Sequence, residues 1–114
     1  MMAFNRTDRS AVVDIGSNSV RMVAYDRDDR SLEPIFNEKA MSGLGRHLLA
    51  TGVLDPDGKA SALAMLTRFR LVAAHMGIGR VRAVATAAAR FAKDGPAFIE
   101  EAEIGRASCR ERVY

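Results

Sequence analysis

Residues 11–21 carry the sequence Ala11-Val12-Val13-Asp14-Ile15-Gly16-Ser17-Asn18-Ser19-Val20-Arg21, in which a short apolar segment leads into a polar turn. The apolar segment predicts a buried strand, and the turn leads directly into a second one. Gly16 allows the backbone to turn sharply or to approach a ligand closely. Ser17, Asn18 and Ser19 offer hydroxyl and amide groups to phosphate oxygens. The turn is therefore a candidate phosphate-binding loop, and a plain β-hairpin is the alternative explanation for the same residues.

The carboxylate at the end of the first strand qualifies this interpretation. Asp14 by itself would repel phosphate. A cation between the two removes this conflict, and magnesium takes hard oxygen ligands and bridges carboxylate or water to phosphate. Asp14 is therefore a candidate magnesium ligand.

Size and composition limit the class of protein. The chain has 114 residues, of which 48% are apolar and 27% charged, as expected for one globular domain. No apolar run approaches the ~20 residues of a membrane span, and the N-terminus lacks the apolar core of a secretory signal. The single cysteine, Cys109, forms no internal disulfide, which fits a reducing compartment. We expect a cytoplasmic protein without a membrane partner.

The net charge of +3 and the pI near 9.5 raise the question of nucleic-acid binding. The arginines are scattered along the chain and aromatic residues make up only 6% of it, so no stacking platform is evident. A small anionic substrate suits the same charge. We therefore do not expect a nucleic-acid partner.

Three antiparallel strands are predicted in the first third of the chain. The first two, at 11–15 and 20–25, form a hairpin. A third spans 32–41, where Pro34 indicates an edge or irregular position. A short helical turn is predicted at 46–50.

A helix and a parallel strand follow. Asp55 is a candidate N-cap, Pro56 suits the first helical position, and Gly77 closes an amphipathic helix. The strand at 81–85, reached through this crossover helix, joins the sheet in parallel. Ligands of such sheets bind outside the carboxyl ends of the strands, so residues 86–90, at the start of the next helix, are predicted near the first turn. A break at 94–96 and a helix over 97–103 complete the prediction.

This order of elements resembles the first lobe of the actin-like ATPase and sugar-kinase superfamily, also called ribonuclease H-like. The fold class is α/β: a partial lobe with a three-strand antiparallel meander, a crossover helix and a parallel strand. Residues 14–21 resemble the first phosphate loop of the exopolyphosphatase and guanosine pentaphosphate phosphohydrolase family (Ppx/GppA). Residues 81–90 resemble its strand ending in Ala-Thr-Ser/Ala-Ala-x-Arg, followed here by Asp94-Gly95. The resemblance covers residues 10–103.

The resemblance implies a reaction and roles for individual residues. The family hydrolyses the terminal phosphate of inorganic polyphosphate, or the 5′ phosphate of guanosine pentaphosphate, with magnesium in a cleft between two lobes. Arg90 would neutralise charge on the transferring phosphoryl group, and Asp14 would hold magnesium or its waters. The phosphate-binding residues would be Gly16, Ser17, Asn18, Ser19 and, with a surface ion pair as the alternative, Arg21. Guanosine tetraphosphate is a further expected ligand, and the family suggests a homodimeric parent.

The chain departs from the family at its end. Relatives continue into another strand, an acidic segment with the general base, and a second glycine-rich phosphate loop. We therefore interpret residues 10–103 as a partial N-terminal lobe, residues 1–9 as a disordered N-terminus, and residues 104–114 as an atypical tail from a truncation or junction, or a basic tail for an acidic partner. Three hypotheses follow: a fragment of a hydrolase, a non-catalytic polyphosphate or (p)ppGpp-binding module, and an inactive chain that does not fold stably.

Overall fold

A computed structural model of the chain describes residues 9–26, 33–104 and 112–113. It contains one five-stranded sheet in the order β3-β2-β1-β4-β5. The elements, in chain order, are β1 (Arg9–Ile15), β2 (Ser19–Asp26), β3 (Phe36–Met41), α1 (Leu48–Thr51), α2 (Pro56–His75), β4 (Arg80–Ala85), α3 (Ala87–Phe91), α4 (Gly95–Ile104) and β5 (Arg112–Val113). The α/β class and the meander followed by a crossover are as predicted.

The β1–β2 hairpin is antiparallel, with Asp14 opposite Arg21 and Ile15 opposite Val20. Alternate residues of both strands point to the same buried face, as expected for a sheet with one covered side. These buried residues are Ala11, Val13, Ile15, Val20, Met22 and Ala24.

The third strand is shorter than predicted. It begins at Phe36 and occupies the edge of the sheet beside β2. Pro34 precedes the strand, because proline has no N–H to donate to the ladder. β2 ends at Asp26, and the predicted start of the third strand at Leu32 lies, with residues 27–31, outside the described residues.

Helix α2 has the predicted boundaries. The Asp55 side chain accepts a hydrogen bond from the Gly58 N–H at 2.9 Å, and Pro56 is the first helical residue. Gly77 follows the helix with a positive φ of 68°, which glycine adopts without strain. The apolar face of the helix contacts the sheet: Ala62, Leu66, Phe69 and Ala73 are buried, and Met65, Val72 and Met76 are partly buried against the same core. No helix within the described ranges is long and apolar enough to cross a membrane.

Strand β4 lies parallel to β1, with Ile15 beside Ala85. The helix after it spans Ala87–Phe91, and α4 begins at Gly95, within the break predicted at 94–96. Pro96 lies in the first turn of α4, where its missing N–H has no helical partner in any case. The Asp94 carbonyl starts this helix by accepting from the Phe98 N–H at 3.0 Å.

The end of the chain also differs from the prediction. The sequence indicated no strand in the tail after residue 103, but α4 ends at Ile104 and Arg112–Val113 pairs in parallel with β4. Residues 105–111 and 114, like residues 1–8, lie outside the described residues. The predicted disordered N-terminus included Arg9, which instead starts β1.

One face of the sheet carries the core. Helices α2 and α4 contact each other and contribute to a single buried cluster with the strands. Ten of the nineteen buried apolar residues in the described part of the chain are alanines, which lets helices approach strands closely. The opposite face is open: Val12 is 41% and Tyr25 38% exposed.

Candidate functional site

The turn between β1 and β2 is fixed by hydrogen bonds from its own backbone. The Gly16 N–H donates to the Ser19 carbonyl at 2.9 Å. The Asn18 carbonyl accepts from the N–H groups of Ser42 at 2.8 Å and Gly43 at 3.1 Å. The Ser17 carbonyl accepts from Gly45 at 2.8 Å. The N–H groups of the segment 42–45 after β3 therefore hold the turn in place by donating to its carbonyl groups.

The donors of the turn remain available. The N–H groups of Ser17 and Asn18 make no hydrogen bond to another described residue. Asn18 is exposed and Ser17 half-buried. Successive free N–H groups in a turn form an anion-binding concavity. The turn thus offers N–H donors to an oxyanion, while its carbonyl groups accept hydrogen bonds from the segment 42–45.

Two glycines, Gly16 and Gly45, allow close packing at the centre of this arrangement. A Cβ at Gly16 would lie 3.2 Å from the Ser19 carbonyl oxygen, and one at Gly45 would lie 3.1 Å from Cβ of Ser17. Both distances are tighter than ordinary van der Waals contact. Gly16 allows the turn to close on itself, and Gly45 allows the supporting segment to lie against the turn.

The end of β4 lies next to the same turn. The Thr86 N–H donates to the Ile15 carbonyl at 3.0 Å, and the Thr86 hydroxyl is 3.3 Å from the same oxygen. Arg90 Nε donates to the Ala85 carbonyl at 2.8 Å. Since Ala85 is the parallel neighbour of Ile15, the Arg90 guanidinium is anchored at the carboxyl edge of the sheet where the turn begins. Its terminal nitrogens have no partner among the described residues.

Asp14 and Arg21 lie opposite each other on the open face of the sheet, and both are exposed. No ion pair within 4.0 Å joins them to each other or to other described residues. The sequence left open whether Arg21 forms a surface ion pair or contacts a ligand; in the described residues no such pair forms.

The described residues could bind magnesium only through a single carboxylate. The described residues contain no group of three or more His, Cys, Asp or Glu side chains that could hold a metal ion. Asp14 would therefore be a single protein ligand. Magnesium is commonly bound in this way, through one or two carboxylates completed by water and substrate phosphates.

Two motif residues have structural roles. Asp94 accepts from the Leu54 N–H at 2.8 Å and from Lys59 Nζ at 3.0 Å. Burial acts to raise the pKa of the Asp94 carboxyl, but the Leu54 N–H and the Lys59 ammonium outweigh it, so this pKa is lowered. A Cβ at Gly95 would overlap the Ala89 carbonyl oxygen. The Asp94-Gly95 pair therefore joins α3, α4 and the start of α2.

A cavity of about 420 Å³ adjoins the turn, and sequence analysis did not identify it as a site. It lies between the turn, the segment after β3 and the first two turns of α2. Its lining residues are Asn18, Met41, Ser42, Gly43, Gly45, Arg46, Asp57 and Ser61. The available sequence signal was the glycine-rich segment 43–46, Gly43-Leu44-Gly45-Arg46.

Comparison with known proteins agrees with this fold. The model of the Ppx/GppA phosphatase family matches residues 22–105. The crystal structure of the type II variant of the Aquifex aeolicus Ppx/GppA phosphatase is similar with a TM-score of 0.82 and 29% identity, over 93% of this chain and 35% of that chain. Another structure of the Aquifex aeolicus enzyme gives a TM-score of 0.81 and 31% identity, over 93% and 35%.

An exopolyphosphatase from Cytophaga hutchinsonii has a TM-score of 0.80 and 24% identity, over 92% of this chain and 33% of that chain, a likeness of fold. The search of curated proteins found no match. The chain spans about a third of the length of the structures it matches.

Proposed function

Because this chain belongs to the Ppx/GppA phosphatase family, we propose that it holds the terminal phosphate in a hydrolase of inorganic polyphosphate or guanosine pentaphosphate. The observation that supports this most directly is the pairing of two free N–H donors, on Ser17 and Asn18, with a guanidinium anchored at the same edge of the sheet. Backbone donors and a planar cation are the groups that bind phosphate oxygens in other sites.

Each side chain has a proposed part. The backbone from Gly16 to Ser19 binds oxygens of the terminal phosphate, with the Ser17 and Ser19 hydroxyls as further donors. Arg90 neutralises charge that spreads over the phosphoryl oxygens in the transition state. Its bond to the Ala85 carbonyl fixes the guanidinium before substrate arrives, so little reorganisation is needed.

Asp14 is the proposed magnesium ligand. A bound magnesium ion would neutralise phosphate charge and polarise the phosphoryl oxygens. Asp14 is exposed and lies next to the strand end that starts the turn, so its carboxylate is open to an ion shared with phosphate. Arg21, its neighbour on the open face, adds a positive charge that favours the same anion.

Hydrolysis is proposed for the longer protein and phosphate binding for the 114-residue chain. The family resemblance assigns the general base and the second phosphate loop to segments that follow the part covered here. General-base assistance contributes typically 10²–10⁴-fold, so a chain without it should bind phosphate far better than it turns substrate over.

The test replaces Arg90 or Asp14 with alanine in a full-length parent. Phosphate release from polyphosphate should fall by about 10²–10³-fold in kcat with either change, because R90A removes a positive charge that stabilises the transition state and D14A removes the proposed magnesium ligand. Arg80→Ala, an exposed arginine at the opposite end of β4, is the matched control and should leave kcat unchanged. Normal turnover in R90A and D14A, with native circular dichroism, would reject these assignments.

A non-catalytic binding module is the second candidate, because the free N–H groups of Ser17 and Asn18 can hold an anion without any catalytic group. Calorimetric titration of the purified chain with polyphosphate and with guanosine tetraphosphate distinguishes the two. Binding without phosphate release from either the chain or its parent would favour the module, and release by the parent would favour the hydrolase.

A further inference from the structure

The cavity beside the turn is formed by three segments that are distant in sequence. Asn18 comes from the turn, residues 41–46 from the end of β3 and the loop after it, and Asp57 and Ser61 from the first two turns of α2. Helix α2 approaches this loop so closely that a Cβ at Gly58 would lie 2.7 Å from the Gly43 carbonyl oxygen. The walls of the cavity are therefore fixed by backbone packing.

Ser42 has an unused hydroxyl in this wall. The residue is only 8% exposed, and its Oγ is buried without a hydrogen-bond partner among the described residues. A buried polar group without a partner costs about 1–3 kcal/mol. A ligand in the cavity that offers an oxygen to Ser42 would recover that cost.

Arg46 supplies an unused cation. A Cβ at Gly43 would lie 2.7 Å from Arg46 Nη2 and 3.1 Å from Cζ, so the guanidinium rests against the space that glycine leaves open. Gly43 has a φ of 71°, and the Arg46 N–H closes the loop by donating a hydrogen bond to the Gly43 carbonyl at 3.0 Å. Arg46 forms no ion pair within the described part of the chain.

Asp57 is the one carboxylate in the lining, and its charge interacts with the start of helix α2. It lies in the first turn of α2, where the unpaired N–H groups of the helix carry partial positive charge. That interaction stabilises the Asp57 carboxylate without neutralising it, and the Arg46 guanidinium is the one positively charged side chain among the described lining residues.

We propose that this cavity is a second phosphate subsite, which holds the phosphoryl group next to the one on the β1–β2 turn. Asn18 is part of the β1–β2 turn and also lines the cavity. A chain of linked phosphates therefore extends from the free N–H groups of the turn to Arg46, Ser42 and Ser61. The inference rests on the proposed function and extends it: the ligand must carry at least two linked phosphoryl groups. Inorganic polyphosphate and a nucleoside triphosphate both carry linked phosphoryl groups.

The test measures binding of tripolyphosphate, orthophosphate and GTP to the purified chain by calorimetry without added magnesium. Arg46→Gln should weaken tripolyphosphate binding about tenfold, the value of one charge-assisted hydrogen bond. Asp57→Asn should tighten it severalfold, because a like charge is removed. Arg80→Gln, the matched loss of one distant positive charge, should change it less than twofold. If Arg46→Gln weakens GTP binding as much as tripolyphosphate binding, a nucleotide can supply the linked phosphates. If it weakens tripolyphosphate binding alone, the ligand is inorganic polyphosphate.

The outcomes separate this subsite from the turn. Arg90→Gln should weaken orthophosphate and tripolyphosphate alike. If R90Q weakens both while R46Q changes neither, the subsite is wrong and the proposed function stands; if no ligand binds the wild-type chain, both are wrong. Weaker binding by D57N would also overturn the subsite. As a check that needs no variant, tripolyphosphate should shift the backbone amide NMR signals of Gly43 and Arg46 in the wild-type chain, and unmoved signals would contradict the proposal.

Discussion

At the scale of single residues, close backbone approach explains glycines that local sequence patterns do not. Gly58 lies in the second position after Pro56, inside a helix, where alanine is favoured by about 1 kcal/mol. A Cβ there would lie 2.7 to 2.8 Å from the backbone atoms of Gly43 and Leu44. Backbone atoms cannot rotate away as a side chain does, so the steric term exceeds the helix propensity.

We therefore predict that Gly58→Ala destabilises the chain by about 1–3 kcal/mol despite its better helix propensity. Urea unfolding followed by circular dichroism measures the difference. Thr67→Ala, at an exposed position of the same helix, is the control and should stay within about 0.5 kcal/mol of wild type. An equally stable or more stable G58A would show that α2 can shift away from the loop after β3.

At the scale of elements, Asp94 links the start of α2 to the turn between α3 and α4. Its pKa is lowered in the folded chain by the Leu54 N–H and the Lys59 ammonium, against the opposing effect of burial. In the unfolded chain the pKa returns to near 3.9. The stabilisation is therefore present above that value and is lost as pH falls through the lower folded pKa.

We predict that Asp94→Asn lowers the free energy of unfolding at pH 7 by about 1 kcal/mol, since it removes a partly exposed ion pair and keeps an acceptor for Leu54. The difference from wild type should shrink as pH falls below 4 and vanish near pH 2. Unfolding curves across this pH range test the prediction, with Lys59→Met as the partner variant. A difference that stays constant with pH would mean that charge on Asp94 contributes nothing.

The same scale separates what the sequence could predict from what it could not. The β1–β2 hairpin and α2 were predictable because their signals are local: alternating apolar residues, an N-cap and proline at one end, and glycine at the other. The close approach of Gly95, at the start of α4, to the Ala89 carbonyl was not predictable, because it arises only once α3 and α4 have packed. The cavity was not predictable either, since Asn18, Arg46 and Ser61 meet only after β3 and α2 have packed.

At the scale of the whole molecule, the sheet has one covered and one open face, and stability should depend on the face. Val13 is 2% and Val12 41% exposed, although they are neighbours on β1. Threonine has nearly the shape of valine and a similar preference for strands, so the two substitutions differ mainly in burial of one hydroxyl.

Val13→Thr should therefore lower the free energy of unfolding by about 1–3 kcal/mol, because its hydroxyl enters an apolar core, whereas Val12→Thr should stay within about 0.5 kcal/mol of wild type. Both values require that the 114-residue chain unfolds in one cooperative transition, which a thermal melt followed by circular dichroism tests directly. A melt without a transition would support the hypothesis of a chain that does not fold alone. A cooperative melt with equal losses in V12T and V13T would instead show that the open face is covered in solution.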